Sequence, residues 1–153
     1  MHAITDFMSD DHRSCDDFLA AVEQAVANGA WELAQTGFAR FRDALLNHFT
    51  AEESVLFPAF EQRTGMYLGP TQVMRGEHAQ MRQLLAAAES ALAEHDGHEY
   101  VGHAETLLIM MQQHNVKEEN VLYPMCDQQL ADQVETLLPQ LQGQLTGNEK
   151  APA

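Results

Sequence analysis

The chain has 153 residues and a formal net charge of −15, because 23 acidic residues outnumber 8 lysines and arginines. A length of this order is typical of one domain, and so negative a chain repels phosphate backbones and anionic lipid headgroups, so no nucleic acid or membrane partner is expected. There is no apolar run of membrane-spanning or secretory length and the two cysteines are isolated, which together predict a cytoplasmic protein with reduced thiols.

Turn-forming residues divide the sequence into four long segments rich in Ala, Leu, Glu, Gln and Met, which lose little side-chain freedom in a helix. In chain order these segments predict helices at about 9–27, 31–63, 71–94 and 98–128, followed by a short amphipathic helix at about 131–141. We expect one domain over residues 1–142 and a flexible polar tail over residues 143–153.

Each long segment has an apolar stripe in which residues recur every three or four positions, as in helices that bury one face. Representative members are Leu19, Phe41, Leu85, Met111 and Val121. Since short connections between successive long helices favour antiparallel neighbours, the sequence predicts an all-α, up-down antiparallel four-helix bundle with a short extra C-terminal helix.

The chain also repeats once, with a period of 66 residues that separates His48 from His114. Residues 48–58 align with residues 114–124, and six of the eleven aligned positions are identical. Each copy ends in a proline, Pro58 or Pro124, which lacks an amide donor and is expected to end or kink its helix. The bundle is therefore predicted to consist of two related helical hairpins.

Polar residues recur where these stripes should be apolar. In each copy a histidine is followed four residues later by a glutamate, and four residues place two side chains one helical turn apart on the same face. In each half, a further histidine lies 36 residues before this pair and falls within an apolar stripe. Six side chains are thus predicted to point into the bundle: His12, His48, Glu52, His78, His114 and Glu118.

Two inward carboxylates cost several kcal/mol each to bury unless cations lie close by, and the predicted inward faces offer imidazoles rather than lysine or arginine. Imidazole and carboxylate donors on facing helices suit a pair of first-row metal ions, with iron or manganese favoured over zinc because no thiolate takes part. The neighbouring Glu53 and Glu119 are expected to be surface or supporting groups rather than ligands. A third histidine–glutamate pair, His95 and Glu99, spans a predicted turn and is interpreted as solvated.

The motifs around these six residues resemble the hemerythrin-like cation-binding (HHE) domain, over about residues 8–128. The resemblance implies a four-helix bundle with two non-haem iron ions joined by an oxo or hydroxo bridge. By analogy, His12 and His48 would serve one iron, His78 and His114 the other, and Glu52 and Glu118 would bridge both. Oxygen-carrying members use five histidines, whereas this set of four is similar to that of iron-sulfur-cluster repair proteins and of an iron-sensing ubiquitin-ligase subunit.

The leading hypothesis of function is a small di-iron protein that binds O2, NO or peroxide for carriage, sensing or detoxification. Two alternatives remain open: a di-iron redox enzyme that reduces NO or peroxide, oxidises Fe(II) or repairs iron-sulfur clusters, and an iron-responsive module that binds a partner. The apolar run at residues 107–111 indicates a possible homodimer contact.

Overall fold

The computed structural model describes residues 2–146, and within that range the chain is helical without a strand. The helices are α1 Ala3–Ala27, α2 Trp31–Ala51, α3 Phe57–Thr64, α4 Pro70–Ala93, α5 Gly97–Lys117, α6 Tyr123–Gln129 and α7 Val134–Leu145. A π-helical turn, Glu52–Leu56, joins α2 to α3, and a second one, Glu118–Leu122, joins α5 to α6. The predicted bundle is thereby confirmed, with α7 as the extra C-terminal helix.

Short turns form the two hairpins. Gly29 takes the left-handed conformation (φ 67°) between α1 and α2, and His95 does so (φ 56°) between α4 and α5. The side chain of Asp96 then accepts a hydrogen bond from the Glu99 amide at 3.0 Å and caps α5. Because both connections are this short, the helices of each hairpin run antiparallel. As predicted, His95 and Glu99 lie exposed at this turn.

The start of α1 differs from the prediction, because the helix begins at Ala3 rather than near residue 9. The Asp127 carboxylate accepts hydrogen bonds from the amides of Ile4 (2.7 Å) and Thr5 (3.1 Å) and from the Thr5 hydroxyl (2.6 Å). These bonds satisfy amides that a helix N-terminus leaves free. The capping residue lies 123 positions away from Ile4 in the sequence, so the residues around the start of α1 could not predict it.

The chain stays helical through both prolines, so the expectation that they could end their helices was wrong. In each π-helical turn, the glutamate carbonyl accepts a hydrogen bond from the amide five residues later, as Glu52 does from Phe57. The proline then lies in the first turn of the next α-helix. An amide is dispensable at that position. Pro58 and Pro124 are therefore accommodated by a local widening of the helix.

The last helix is also longer than expected. It begins at Val134 after a single 3₁₀ turn, Ala131–Gln133, and runs past Gly143 to Leu145. Buried Leu137 and Leu141 anchor it to the bundle. The first three residues of the predicted tail are thus helical, and residues 147–153 of that tail lie outside the described residues.

Two apolar clusters fill the interior. One surrounds Phe38, Phe41 and Tyr100, and the other surrounds Phe57 and Tyr123 near α7. Between them lies a layer of buried polar side chains contributed by all four long helices.

Two features of the surface bear on the predictions. Val121, expected in the core, is 53% exposed. In the apolar run at residues 107–111 only Ile109 is exposed, so the homodimer contact stays a prediction. No helix among residues 2–146 is long and apolar enough to span a membrane.

Candidate metal centre

All six predicted ligand residues meet in the polar layer. Glu52 and Glu118, the first residues of the two π-helical turns, are fully buried, and the four histidines are at most 5% exposed. Their side chains form two sets whose donor atoms all lie within 4.8 Å of one another, and each set can hold a metal ion. The sets are His12, His48, Glu52 and Glu118, and Glu52, His78, His114 and Glu118.

The two glutamates belong to both sets because each turns one oxygen toward each set. Glu52 places Oε2 3.5 Å from His48 Nε2 and Oε1 3.0 Å from His78 Nε2. Glu118 places Oε1 3.1 Å from His12 Nε2 and Oε2 3.2 Å from His114 Nε2. This division of oxygens is the arrangement expected of carboxylates that bridge two ions.

On the side away from the centre, each of the four predicted ligand histidines donates a hydrogen bond from Nδ1–H to a carboxylate. The pairs are His12 with Glu119, His48 with Asp11, His78 with Glu53 and His114 with Glu77. The nitrogen–oxygen distance is 2.6 Å in the first pair and 2.7 Å in the other three. In the neutral imidazole this bond keeps the proton on Nδ1, so the Nε2 lone pair is available to a metal ion at the centre. We call these four carboxylates the braces.

The braces obey the same repeat as the ligands. Asp11 and Glu77 immediately precede predicted ligand histidines, and Glu53 and Glu119 immediately follow predicted ligand glutamates. The expectation that Glu53 and Glu119 are supporting rather than ligand residues agrees with these contacts. Asp11 and Glu77 were missed, although an acidic residue at equivalent positions in both halves was a usable signal.

Among residues 2–146, only the braces of the second set, Glu53 and Glu77, pair with arginine or lysine. Arg82 donates to Glu53 at 2.8 and 3.0 Å, and Lys117 forms an ion pair with Glu77. Burial opposes ionisation, but the hydrogen bonds from His78 and Arg82 lower the pKa of Glu53 to about 2. At the positions equivalent to Arg82 and Lys117, the first half has Asp16 and Ala51.

Charge pairing at the centre shifts the pKa values of the imidazole and carboxyl groups in opposite directions. Burial disfavours the charged form of His48, but Glu52 and Asp11 raise its pKa well above the usual range. Burial likewise disfavours ionised Glu52, but the facing imidazole of His48 holds its pKa well below the usual range. In metal-free protein these shifts favour a charged His48 imidazole beside an ionised Glu52.

One further residue enters the centre that the sequence pattern did not single out. The fully buried Tyr123 hydroxyl donates to Glu52 Oε2 at 2.5 Å and lies 2.9 Å from Glu118 Oε1. It also lies 3.2 Å from His12 Nε2 and 3.3 Å from His48 Nε2. The equivalent residue in the first repeat is Phe57, which has no hydroxyl.

The residues fit a metal pair because part of the centre has donor atoms without hydrogen bonds. Glu52 Oε1, His78 Nε2, His114 Nε2 and Glu118 Oε2 are buried and make no hydrogen bond with any residue from 2 to 146. Orphaned buried polar atoms are costly, and a cation would satisfy these four together. The thiols of Cys15 and Cys126 are buried, burial raises the pKa of both, and neither cysteine belongs to either set.

Comparison with protein families gives a match to the model described as the hemerythrin HHE cation-binding domain, over residues 3–126. The matched region includes all six predicted ligand residues, the four braces and Tyr123. Neither the curated proteins nor the solved structures compared with this chain gave a match.

Proposed function

Because the chain belongs to the hemerythrin HHE cation-binding domain family, we propose that it holds two iron ions in the polar layer and binds O2, NO or peroxide there. His12 and His48 hold one ion, His78 and His114 hold the other, and Glu52 and Glu118 bridge the two. The observation that supports this proposal best is the division of each glutamate's oxygens between the two histidine pairs.

The number and type of donors favour iron. Each set has two imidazole nitrogens and two carboxylate oxygens, a mixture that suits first-row ions with more than four coordination positions. Zinc in closed structural sites favours four ligands, commonly with thiolates, and within residues 2–146 neither set includes a cysteine. Iron in these sets would supply vacant coordination positions and a change of oxidation state.

Burial of the centre favours a very small ligand. The six proposed ligand residues are 0–5% exposed, and phenylalanine rings pack against the second set. Phe49 stacks on His78 with ring centroids 4.0 Å apart, and Phe57 stacks on the same imidazole at 5.8 Å. A diatomic molecule or peroxide needs far less space than an organic substrate in such surroundings.

Metal content per chain tests the first part of the proposal. Anaerobic loading with Fe(II), followed by removal of free iron and elemental analysis, is expected to give two irons per chain. His48→Ala and His114→Ala should each lower this content, because each removes a ligand from one set. His103→Ala is the matched control, since His103 pairs with Glu99 four residues away at the surface. An iron content near zero in the unaltered protein would refute the proposal.

Optical spectra test the ligand. The iron-loaded reduced protein, exposed separately to O2, NO and hydrogen peroxide, is expected to change its visible spectrum with at least one of them. An iron-loaded protein whose spectrum responds to none of the three would exclude small-ligand binding while leaving the metal centre intact.

A further inference from the structure

The two halves of the centre differ at one position that points directly into it. Tyr123 follows the second π-helical turn and Phe57 follows the first, at equivalent positions of the repeat. Both rings stack beside a ligand histidine, Tyr123 on His12 at 5.7 Å and Phe57 on His78 at 5.8 Å between centroids. At this pair of equivalent positions, the hydroxyl is the chemical difference between the two sets.

The Tyr123 oxygen contacts all four donor atoms of the first set at 2.5 to 3.3 Å. Two ligands bound at right angles to one ion, each at about 2.1 Å, lie about 3 Å apart. The observed separations are those of an oxygen that shares an ion with these four donors. In the second set, where phenylalanine replaces tyrosine, the four donors that face the ion position make no hydrogen bond to the described part of the chain.

We propose that the phenol oxygen of Tyr123 is a fifth protein ligand of the ion held by His12 and His48, so that the two metal positions are chemically distinct. This inference rests on the proposed di-iron centre. Tyrosine oxygen is an established ligand of ferric iron in proteins. Binding replaces the phenol O–H bond with an O–iron bond and releases the proton to solvent, with no change of oxidation state.

The surroundings of the first set reinforce the asymmetry. Its braces, Asp11 and Glu119, face no lysine or arginine in the part of the chain that the structure describes, whereas Arg82 and Lys117 pair with the braces of the second set. Extra negative charge together with an anionic oxygen ligand stabilises the higher charge of ferric iron. The iron beside Tyr123 is therefore the harder of the two to reduce from Fe(III).

The test uses the full chain loaded with Fe(II) under anaerobic conditions and then oxidised with ferricyanide, which removes one electron per iron. We expect a phenolate-to-iron charge-transfer band in the visible spectrum, with tyrosine ring vibrations enhanced in resonance Raman spectra excited in that band. Tyr123→Phe should lose both signals and retain two irons per chain. Tyr100→Phe is the matched control, because Tyr100 is equally buried but lies in the other apolar cluster.

Moving the hydroxyl sharpens the test. In the double variant Phe57→Tyr/Tyr123→Phe the phenol faces His78 rather than His12, and the band is expected to return. The chain has three tyrosines, and the variant Tyr67→Phe/Tyr100→Phe keeps only Tyr123. This variant should keep the full signal, and it tests the inference even if Tyr123→Phe does not fold.

Three results would overturn the inference: an iron-loaded protein without a phenolate signal, a signal that persists in Tyr123→Phe, or loss of the signal in Tyr67→Phe/Tyr100→Phe. The first of these leaves the di-iron proposal standing, because iron is bound. A chain that binds no iron at all would refute both proposals, and elemental analysis of the same samples separates the two cases.

Discussion

The two helical hairpins place the same residues at the same positions, yet they surround their metal positions differently. Ligands and braces are duplicated, since Asp11 and Glu77, like Glu53 and Glu119, are equivalent under the 66-residue repeat. The cations Arg82 and Lys117 and the Tyr123 hydroxyl are not duplicated. Under the proposed function, the duplicated residues would hold the two ions and the unduplicated ones would account for any difference between them.

Removal of a glutamate that both sets share should have the largest effect, and the same effect from either half. Glu52→Gln and Glu118→Gln each take a ligand from both sets, so each variant should lose at least about 100-fold in iron affinity, more than the loss expected for an outer partner. Chelator competition measures the affinity. A large difference between the two variants would contradict the shared role of the glutamates.

Neutralising a brace should have a smaller effect that differs between the halves. Asp11→Asn and Glu77→Gln each leave a ligand histidine without its anionic acceptor, which typically costs 10–100-fold in metal affinity. We expect Asp11→Asn to cost more, because Lys117 already offsets part of the charge of Glu77. The same chelator competition compares the two, and a larger loss for Glu77→Gln would argue against the electrostatic difference.

The pH dependence of stability should separate metal-free from iron-loaded protein. The pKa values of His48, His78 and His114 are raised in the folded metal-free chain, although burial opposes this, because Glu52, Glu118 and the braces face them. Their stabilising contribution is complete below the unfolded value of about 6.5 and is lost as the pH rises through the raised folded values.

Iron binds the neutral imidazoles, so metal uptake releases protons and becomes stronger with rising pH. The difference in Tm between iron-loaded and metal-free protein should therefore be larger at pH 8 than at pH 6. Thermal unfolding followed by circular dichroism measures both forms. An equal difference at the two pH values would show that the imidazoles are already neutral in the metal-free chain.

Helix capping should give the smallest effect and again differ between the halves. Asp127 accepts hydrogen bonds from two amides and one hydroxyl at the start of α1. The equivalent Glu61 accepts a hydrogen bond from the Thr71 hydroxyl at 2.7 Å and forms an ion pair with Arg75 at the start of α4. Asp127→Ala should cost about 1–2 kcal/mol of unfolding free energy. Glu61→Ala should cost less, because Pro70 has no amide to cap. Urea unfolding of metal-free protein provides the comparison.

The repeat and the apolar stripes were sufficient to predict the bundle and the six residues that meet in its centre. They work because a helix of fixed period places side chains at fixed angles and because the duplication repeats each signal. Contacts between residues far apart in sequence could not be predicted this way. Asp127 capping α1 is one example, and the hydrogen bond from His48 to Asp11 across two helices is another.

The π-helical turns change the direction in which the side chains after them point around the helix axis. In an uninterrupted α-helix each residue advances 100°, so a side chain five positions after Glu118 would be about 140° away from it around the axis. A wider turn takes up one additional residue and delays that rotation, which is how Tyr123 faces the same interior as Glu118. Deleting Asn120 would return the segment to ordinary helical phase and swing the phenol away from the metal position.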